Sequence, residues 1–180
     1  TTGPMPAEGA ITFNGFGPAH WGASDEQVRQ AWGKDLEGAP TEPNGCYYLF
    51  PQPRSEGGYR IAFMLESSKF SRLDVRVAEI AAPGGGKVGM DKAELHRLYP
   101  ALTEQKHKYV EGALNLRAAD PQEGPLHRAA VLVQDPNQDV VERRDGFLVI
   151  GQLADGGPVG PFLHRLDEPR HSAHRHGQLP

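Results

Sequence analysis

Two stretches of the chain repeat the same order of apolar and polar positions. Each begins with a residue that favours a helix N-cap, Ser24 or Asp91, and has Gln27 or Glu94 three residues later, as in a capping box. The apolar residues that follow have helical spacing, and they are Val28, Ala31 and Trp32 in the first stretch and Leu95, Leu98 and Tyr99 in the second. The pattern predicts two short capped helices whose N-caps are 67 positions apart.

Strand patterns follow each predicted helix. In the first copy they are the strand Cys46–Phe50, the strand Ile61–Leu65, the turn Ser67–Lys69 and the alternating stretch Ser71–Val77. In the second copy they are the stretch Lys108–Leu116, the strand Ala129–Val133, the turn Asp135–Gln138 and the returning strand Val140–Arg144. Equivalent hairpin positions, Phe63 and Val131, are 68 positions apart, so helix and hairpin repeat at nearly one spacing.

These patterns predict an α+β protein made of two tandem helix-plus-antiparallel-β-hairpin units. We expect an N-terminal tether over residues 1–10, unit 1 over 11–80, unit 2 over 81–150 and a His-rich C-terminal tail over 151–180. Side by side, the units would form one continuous antiparallel sheet with the helices on one face and the other face free. A free, concave sheet face favours a binding function and implies no catalytic cleft.

The helix openings and hairpins resemble two families with repeated helix-and-hairpin folds. They resemble the tandem-repeat fold of β-lactamase inhibitory protein. Gly89–Asp91 is similar to the helix opening of the small outer-membrane assembly lipoproteins, which is Gly-Met followed by Thr, Ser or Asp, and Gly22–Ser24 is loosely similar to it. The chain also resembles proteobacterial envelope proteins labelled "lectin". The stretches that carry this likeness are Gly15–Pro18, Gly45–Tyr48, Phe63–Met64, Arg72–Val75 and His107–Tyr109. The resemblance implies the fold, a periplasmic or secreted location and carbohydrate binding, but it transfers no sugar-binding residues.

Charge and composition exclude several classes of partner. The chain of 180 residues has 19 Lys+Arg against 23 Asp+Glu, and its net charge of −4 is of the wrong sign to attract nucleic acid. No apolar run reaches the ~18–20 residues that a membrane-spanning helix needs. A single cysteine excludes an internal disulfide. The lone Cys46 fits a cytosolic protein as well as an envelope protein without disulfides. The resemblance, rather than the composition, implies a mature periplasmic or secreted chain, with a lipid anchor before processing as an open alternative.

Aromatic residues are the best candidates for ligand binding. Trp21, Tyr47, Tyr48 and Tyr59 lie in the first unit, and aromatic side chains serve both sugar stacking and protein contacts. Trp32 and Phe50 also lie there, but their positions favour core packing. Tyr47 and Tyr48 are adjacent on a predicted strand and must face opposite sides of it. One of the two is therefore expected on the free surface.

The second unit adds His107 and Tyr109 as candidate ligand-binding residues. His107 with Glu104 or Glu94 could form an acid–base pair, which is the basis of a hydrolase alternative. In the main prediction there are no catalytic residues and no cofactor, and the protein is not an enzyme.

Two further segments contain residues typical of ligand sites. The glycine-rich loop Pro83–Val88 departs from the phosphate-binding pattern and is better interpreted as a link between the units. The tail carries weak metal candidates, His171, His174 and His176, and could mediate a homodimer.

The sequence thus predicts a non-enzymatic binding protein of the bacterial cell envelope. Its partner would be a carbohydrate or an envelope protein, recognised through the concave sheet face. One alternative is an inhibitor-like module that blocks an envelope or secreted enzyme, and a second is the hydrolase.

Overall fold

The computed structural model describes residues 4–54, 58–106, 111–122, 128–134 and 147–152. The helices are α1 (Asp25–Trp32) and α2 (Lys92–Leu98). The strands are β1 (Ile11–Thr12), β2 (Gly15–Phe16), β3 (Ala19–His20), β4 (Leu36–Glu37), β5 (Cys46–Pro51), β6 (Ile61–Glu66), β7 (Lys69–Val75), β8 (Thr103–Lys106), β9 (Leu114–Ala119), β10 (Arg128–Gln134) and β11 (Phe147–Gln152). The predicted returning strand Val140–Arg144 lies outside the described residues.

The α+β class predicted from the sequence is wrong, because strands dominate the described part of the chain. Strands account for 40% of it and helices for 12%. An antiparallel eight-stranded sheet has the order β4-β5-β6-β7-β11-β10-β9-β8, and a separate small sheet has the order β1-β2-β3. Short strands that the helix-and-hairpin pattern did not reveal, such as β4 and β8, shift the balance towards β structure.

Both helices begin where the cap residues predict. The Ser24 hydroxyl accepts from the Gln27 N–H at 3.2 Å, and the Gln27 side chain accepts from the Ser24 N–H at 2.9 Å. Asp91 and Glu94 form the same reciprocal pair at α2. Two N–H groups that would lack intrahelical partners are therefore satisfied at each start, and both predicted capping boxes are confirmed.

The two halves of the large sheet meet at their last strands. β6 and β7 form one antiparallel hairpin, β10 and β11 pair in the same way, and β11 lies against β7. In this seam Asp74 is opposite Val149 and Leu73 is opposite Ile150. One continuous sheet therefore joins chain segments that are about 75 residues apart.

The main core lies between the helices and one face of the sheet. Val28 of α1 and Leu95 of α2 are fully buried there with strand residues such as Leu49, Phe63 and Leu148. We call this the helix face. It contains the largest apolar side chains of the sheet, and their burial is the main stabilising contribution.

We call the opposite face of the sheet the second face. It was predicted to be free, and this prediction is wrong for its central part. Ala62, Met64, Val131 and Val149 point to this side in alternation with the main core, and each is at most 3% exposed. Strands β6, β10 and β11 are thus apolar on both faces at these positions rather than on one, which is the pattern of strands covered on both sides.

Candidate functional site

Strand β5 sends its two adjacent tyrosines to opposite faces. Tyr47 is buried on the helix face, where its hydroxyl donates to Asp25 Oδ2 at 2.8 Å. Tyr48 is half-buried on the second face, and its hydroxyl donates to Asp74 Oδ2 at 3.1 Å. The pleat of the strand imposes this separation. Tyr47 therefore anchors α1, and Tyr48 is the one of the pair that lies near the surface.

Around Tyr48 lies a cluster of three aromatic rings and two arginines, which we call the aromatic–arginine surface. Phe50 stacks on Tyr48 with ring centroids 5.6 Å apart, and it contacts Tyr59 at 5.4 Å. The Arg54 guanidinium lies 3.9 Å above the Phe50 ring, and the Arg76 guanidinium lies 4.8 Å from the Tyr59 ring. Both distances are within the range of cation–π attraction.

A buried ion pair lies beneath this surface. Arg72 Nε donates to Asp74 Oδ1 at 2.7 Å, and Arg72 Nη2 donates to Asp74 Oδ2 at 3.0 Å. Arg72 Nη2 also donates to the Tyr48 hydroxyl at 2.7 Å. Arg72 is 3% exposed and Asp74 is fully buried. A buried charge pair of this kind needs such bidentate geometry to offset the loss of hydration.

The surroundings raise the pKa of Tyr48, Tyr59 and Arg72. Burial raises the pKa of Tyr48 and Tyr59 well above the ordinary value of a phenol, and the Asp74 carboxylate raises both further. Burial, the largest single effect, lowers the pKa of Arg72, but the charges and hydrogen bonds of Asp74 and Tyr48 together outweigh it and the net shift is upward. Both phenols therefore stay protonated and Arg72 stays charged at neutral pH.

A small pocket opens beside the aromatic–arginine surface. Its lining comprises Pro4, Pro51, Pro53, Arg54, Gly58, Tyr59, Arg60 and Ile61. Its volume of about 20 Å³ is enough for one water molecule and far too small for a sugar ring. The Tyr59 hydroxyl is buried and has no hydrogen-bond partner among the residues that the structure describes. The surface therefore offers a shallow contact area rather than an enclosed site.

The predicted binding residues do not all come together. Tyr48 and Tyr59 share the aromatic–arginine surface, whereas Tyr47 lies on the other side of the sheet. Trp21 is also elsewhere, because its indole N–H donates to the Phe13 carbonyl at 2.6 Å and its ring packs on Phe70 at 4.8 Å. The remaining two candidates, His107 and Tyr109, lie outside the described residues.

Sequence reasoning missed most of this surface. The core position expected for Phe50 is wrong, since Phe50 is half-buried on the second face, whereas the core position of Trp32 is confirmed. The charges at Arg72, Asp74 and Arg76 were a usable signal. Residues two apart on a strand share a face, so their alternation placed three charges side by side. The place of Arg54 over Phe50 depends on the turn that follows β5, and no sequence pattern revealed it.

The glutamates of the hydrolase alternative occupy ordinary surface positions. Glu94 is part of the α2 cap, where it accepts from the Asp91 N–H at 2.9 Å. Glu104 lies 2.9 Å from Lys92 Nζ and 3.3 Å from His96 Nε2. The hydrogen bond from Lys92 lowers the pKa of Glu104 most, and the one from His96 lowers it further. Glu104 is thus held as a carboxylate at neutral pH.

Neither the metal candidates nor the glycine-rich loop gains support from the described part of the chain. It contains no group of three or more His, Cys, Asp or Glu side chains that could hold a metal ion. His171, His174 and His176 lie outside it. The glycine-rich loop instead wraps around Tyr99, whose hydroxyl donates to the Pro83 carbonyl at 2.5 Å and accepts from the Gly86 N–H at 2.8 Å. The Gly86 N–H therefore already donates a hydrogen bond within the protein.

Comparison with known proteins gives no relative from which a site could be transferred. No protein-family model, curated protein or solved structure matches the chain. Among the described residues, neither helix has the length and apolar character to cross a membrane.

Proposed function

We propose that this chain is a non-enzymatic binding protein of the bacterial cell envelope that holds a protein partner through the aromatic–arginine surface. The observation that carries the proposal is the exposed Arg54 whose guanidinium lies 3.9 Å above Phe50. Arginine and tyrosine are enriched among the residues that dominate protein–protein binding energy. An arginine already resting on a ring loses less side-chain freedom when a partner binds, which favours affinity.

The geometry favours a protein over a carbohydrate. Sugar stacking requires an open aromatic ring face, whereas Phe50 lies between contacts to Tyr48 and Arg54, and Tyr59 lies against Arg76. The neighbouring pocket has room for one water molecule. A shallow surface with a restrained arginine suits the broad contact area of a protein interface. Lectin-like carbohydrate binding is the alternative that the experiment must separate.

The inhibitor-like alternative uses the same surface with a particular kind of partner. An enzyme of the envelope or of the surrounding medium would be blocked if Arg54 and its ring neighbours covered its active site. The resemblance to β-lactamase inhibitory protein supports this version. It differs from the main proposal in the identity of the partner rather than in the residues that make contact.

In the experiment, the wild-type chain and two arginine variants are each immobilised, and an extract of envelope proteins is passed over them. Arg54→Ala removes the exposed cation of the surface, and Arg97→Ala removes another exposed arginine, on α2, as a matched control. We expect one envelope protein to be retained by the wild type and by Arg97→Ala but lost with Arg54→Ala. Circular dichroism verifies that both variants are folded.

A glycan array probed with the same three proteins tests the lectin alternative. Glycan binding that Arg54→Ala abolishes, with no protein retained, would overturn the protein-partner proposal. Equal retention by both arginine variants would show that the aromatic–arginine surface is not the contact site.

A further inference from the structure

The eight-stranded sheet ends in two different ways. At one end is β4, which has two residues, and at the other is β8, which has four. All four side chains of β8 are exposed, and no described strand pairs with its outer side. The outward N–H and C=O groups of such an edge strand can bond to another strand. β8 is therefore the longer open edge of the described sheet.

We propose that the edge strand β8 pairs antiparallel with β8 of a second copy of this chain, about a two-fold axis at Gln105. The symmetry makes the interface isologous, so that each contact occurs twice. The proposal is independent of the aromatic–arginine surface, which lies at the other end of the sheet. It also uses described residues, unlike a dimer through the C-terminal tail.

Backbone geometry restricts the possible registers. In an antiparallel pair, two opposed residues either exchange two backbone hydrogen bonds with each other or exchange none. Along one strand, the backbone N–H and C=O groups of every second residue point to the same side. Two copies of one strand can therefore oppose only residues whose numbers have the same parity. The axis must pass through a residue of β8 rather than between two residues.

Charge then selects among the permitted registers. An axis at Glu104 would place this carboxylate opposite the partner's Glu104, and an axis at Lys106 would oppose two ammonium groups. An axis at Gln105 places Glu104 opposite the partner's Lys106, and the symmetry repeats the same pair. Directly opposed opposite charges stabilise a strand pair, and like charges destabilise it. Within β8, only the Gln105 register opposes Glu104 to Lys106, and it does so twice without placing like charges opposite each other.

The surroundings of Glu104 support its role as the anion of these pairs. Lys92 and His96 of α2 contact the carboxylate at 2.9 and 3.3 Å and keep it ionised. Glu104 and Lys106 are two residues apart, so they lie on the same face of β8, as cross-strand pairing requires. Four residues make few contacts, so the dimer is expected to be weak and to need concentrated protein.

Charge exchange tests the register. Sedimentation velocity of the wild-type chain should show dimers that form within the range up to about 1 mM. Lys106→Glu should weaken dimerisation at least tenfold, because both pairs become Glu–Glu. Glu104→Lys should do the same by making both pairs Lys–Lys. An equal mixture of the two variants should dimerise again, since a mixed pair opposes Glu to Lys at both positions.

Lys34→Glu is the matched control, because Lys34 is exposed and lies outside every strand. It should dimerise as the wild type does, and circular dichroism should show all variants folded. A wild-type chain that stays monomeric throughout this range would overturn the proposal. So would a Lys106→Glu chain that dimerises like Lys34→Glu, or folded single variants whose mixture stays monomeric. The double variant Glu104→Lys/Lys106→Glu gives a second test of rescue within one chain.

Discussion

Replacing Asp74 by Asn should strongly destabilise the protein. The substitution preserves the size of the side chain but removes the carboxylate to which Arg72 donates at 2.7 and 3.0 Å. Arg72 is 3% exposed, so water cannot replace the lost partner. Removing one member of a buried ion pair typically costs 3–5 kcal/mol, and we expect a loss of about 3 kcal/mol because Asn retains one acceptor oxygen.

Urea unfolding followed by circular dichroism measures this loss as a shift in the midpoint at unchanged slope. Arg97→Ala, an exposed substitution, should stay within about 0.5 kcal/mol of the wild type. The double variant Arg72→Met/Asp74→Leu should recover part of the loss, because no charge is then buried, although the Tyr48 hydroxyl loses both of its partners. If Asp74→Asn remained within about 1 kcal/mol of the wild type, the ion pair would contribute little and the reasoning would be refuted.

Two further substitutions test interactions in the second half of the chain. Tyr99→Phe leaves the Gly86 N–H and the Pro83 carbonyl without their shared hydroxyl partner, and we expect a loss of about 1–3 kcal/mol in urea unfolding. An unchanged midpoint would contradict that role. Lys92 lowers the pKa of Glu104, so the ionised carboxylate stabilises the folded chain above the ordinary pKa of 4.5. This stabilisation is lost as the pH falls through the lowered pKa. Glu104→Gln should therefore be less stable than the wild type at pH 7 and equal to it at about pH 2, and a difference that persisted in acid would contradict this explanation.

Local interactions made the helices predictable. A capping box involves residues only three positions apart, so Ser24 with Gln27 and Asp91 with Glu94 identify both helix starts without any tertiary contact. The β6–β7 hairpin is similarly local, because its turn is short and its strands are rich in apolar and β-branched residues.

The fold class and the second face depend on distant contacts, and the sequence did not reveal them. Strand β8 consists of four exposed residues and forms because β9 supplies hydrogen bonds. In β6, Ala62 and Met64 alternate with core residues, so the strand is apolar on both faces rather than on one. A continuous apolar run of this length does not say which of its faces is covered or by what.

The candidate site was predictable only in part for the same reason. Strand alternation predicted that Tyr48 and Tyr47 lie on opposite faces of the sheet, and it could also have shown that Arg72 and Asp74 share a face. The contact between Phe50 and Arg54 instead depends on how the chain turns after β5, which includes a cis peptide bond between Gln52 and Pro53. No pattern of residues in the sequence places the Arg54 guanidinium over the Phe50 ring.

The seam between β7 and β11 has a consequence for synthesis of the chain. Once β7 has emerged from the ribosome, its outer edge must wait for β11, which begins about 70 residues later at Phe147. Pairing over such a sequence distance is slow, and an unpaired apolar strand edge promotes aggregation. A chain stopped before Phe147 would keep that edge open, so truncated products should be poorly soluble and prone to capture by chaperones.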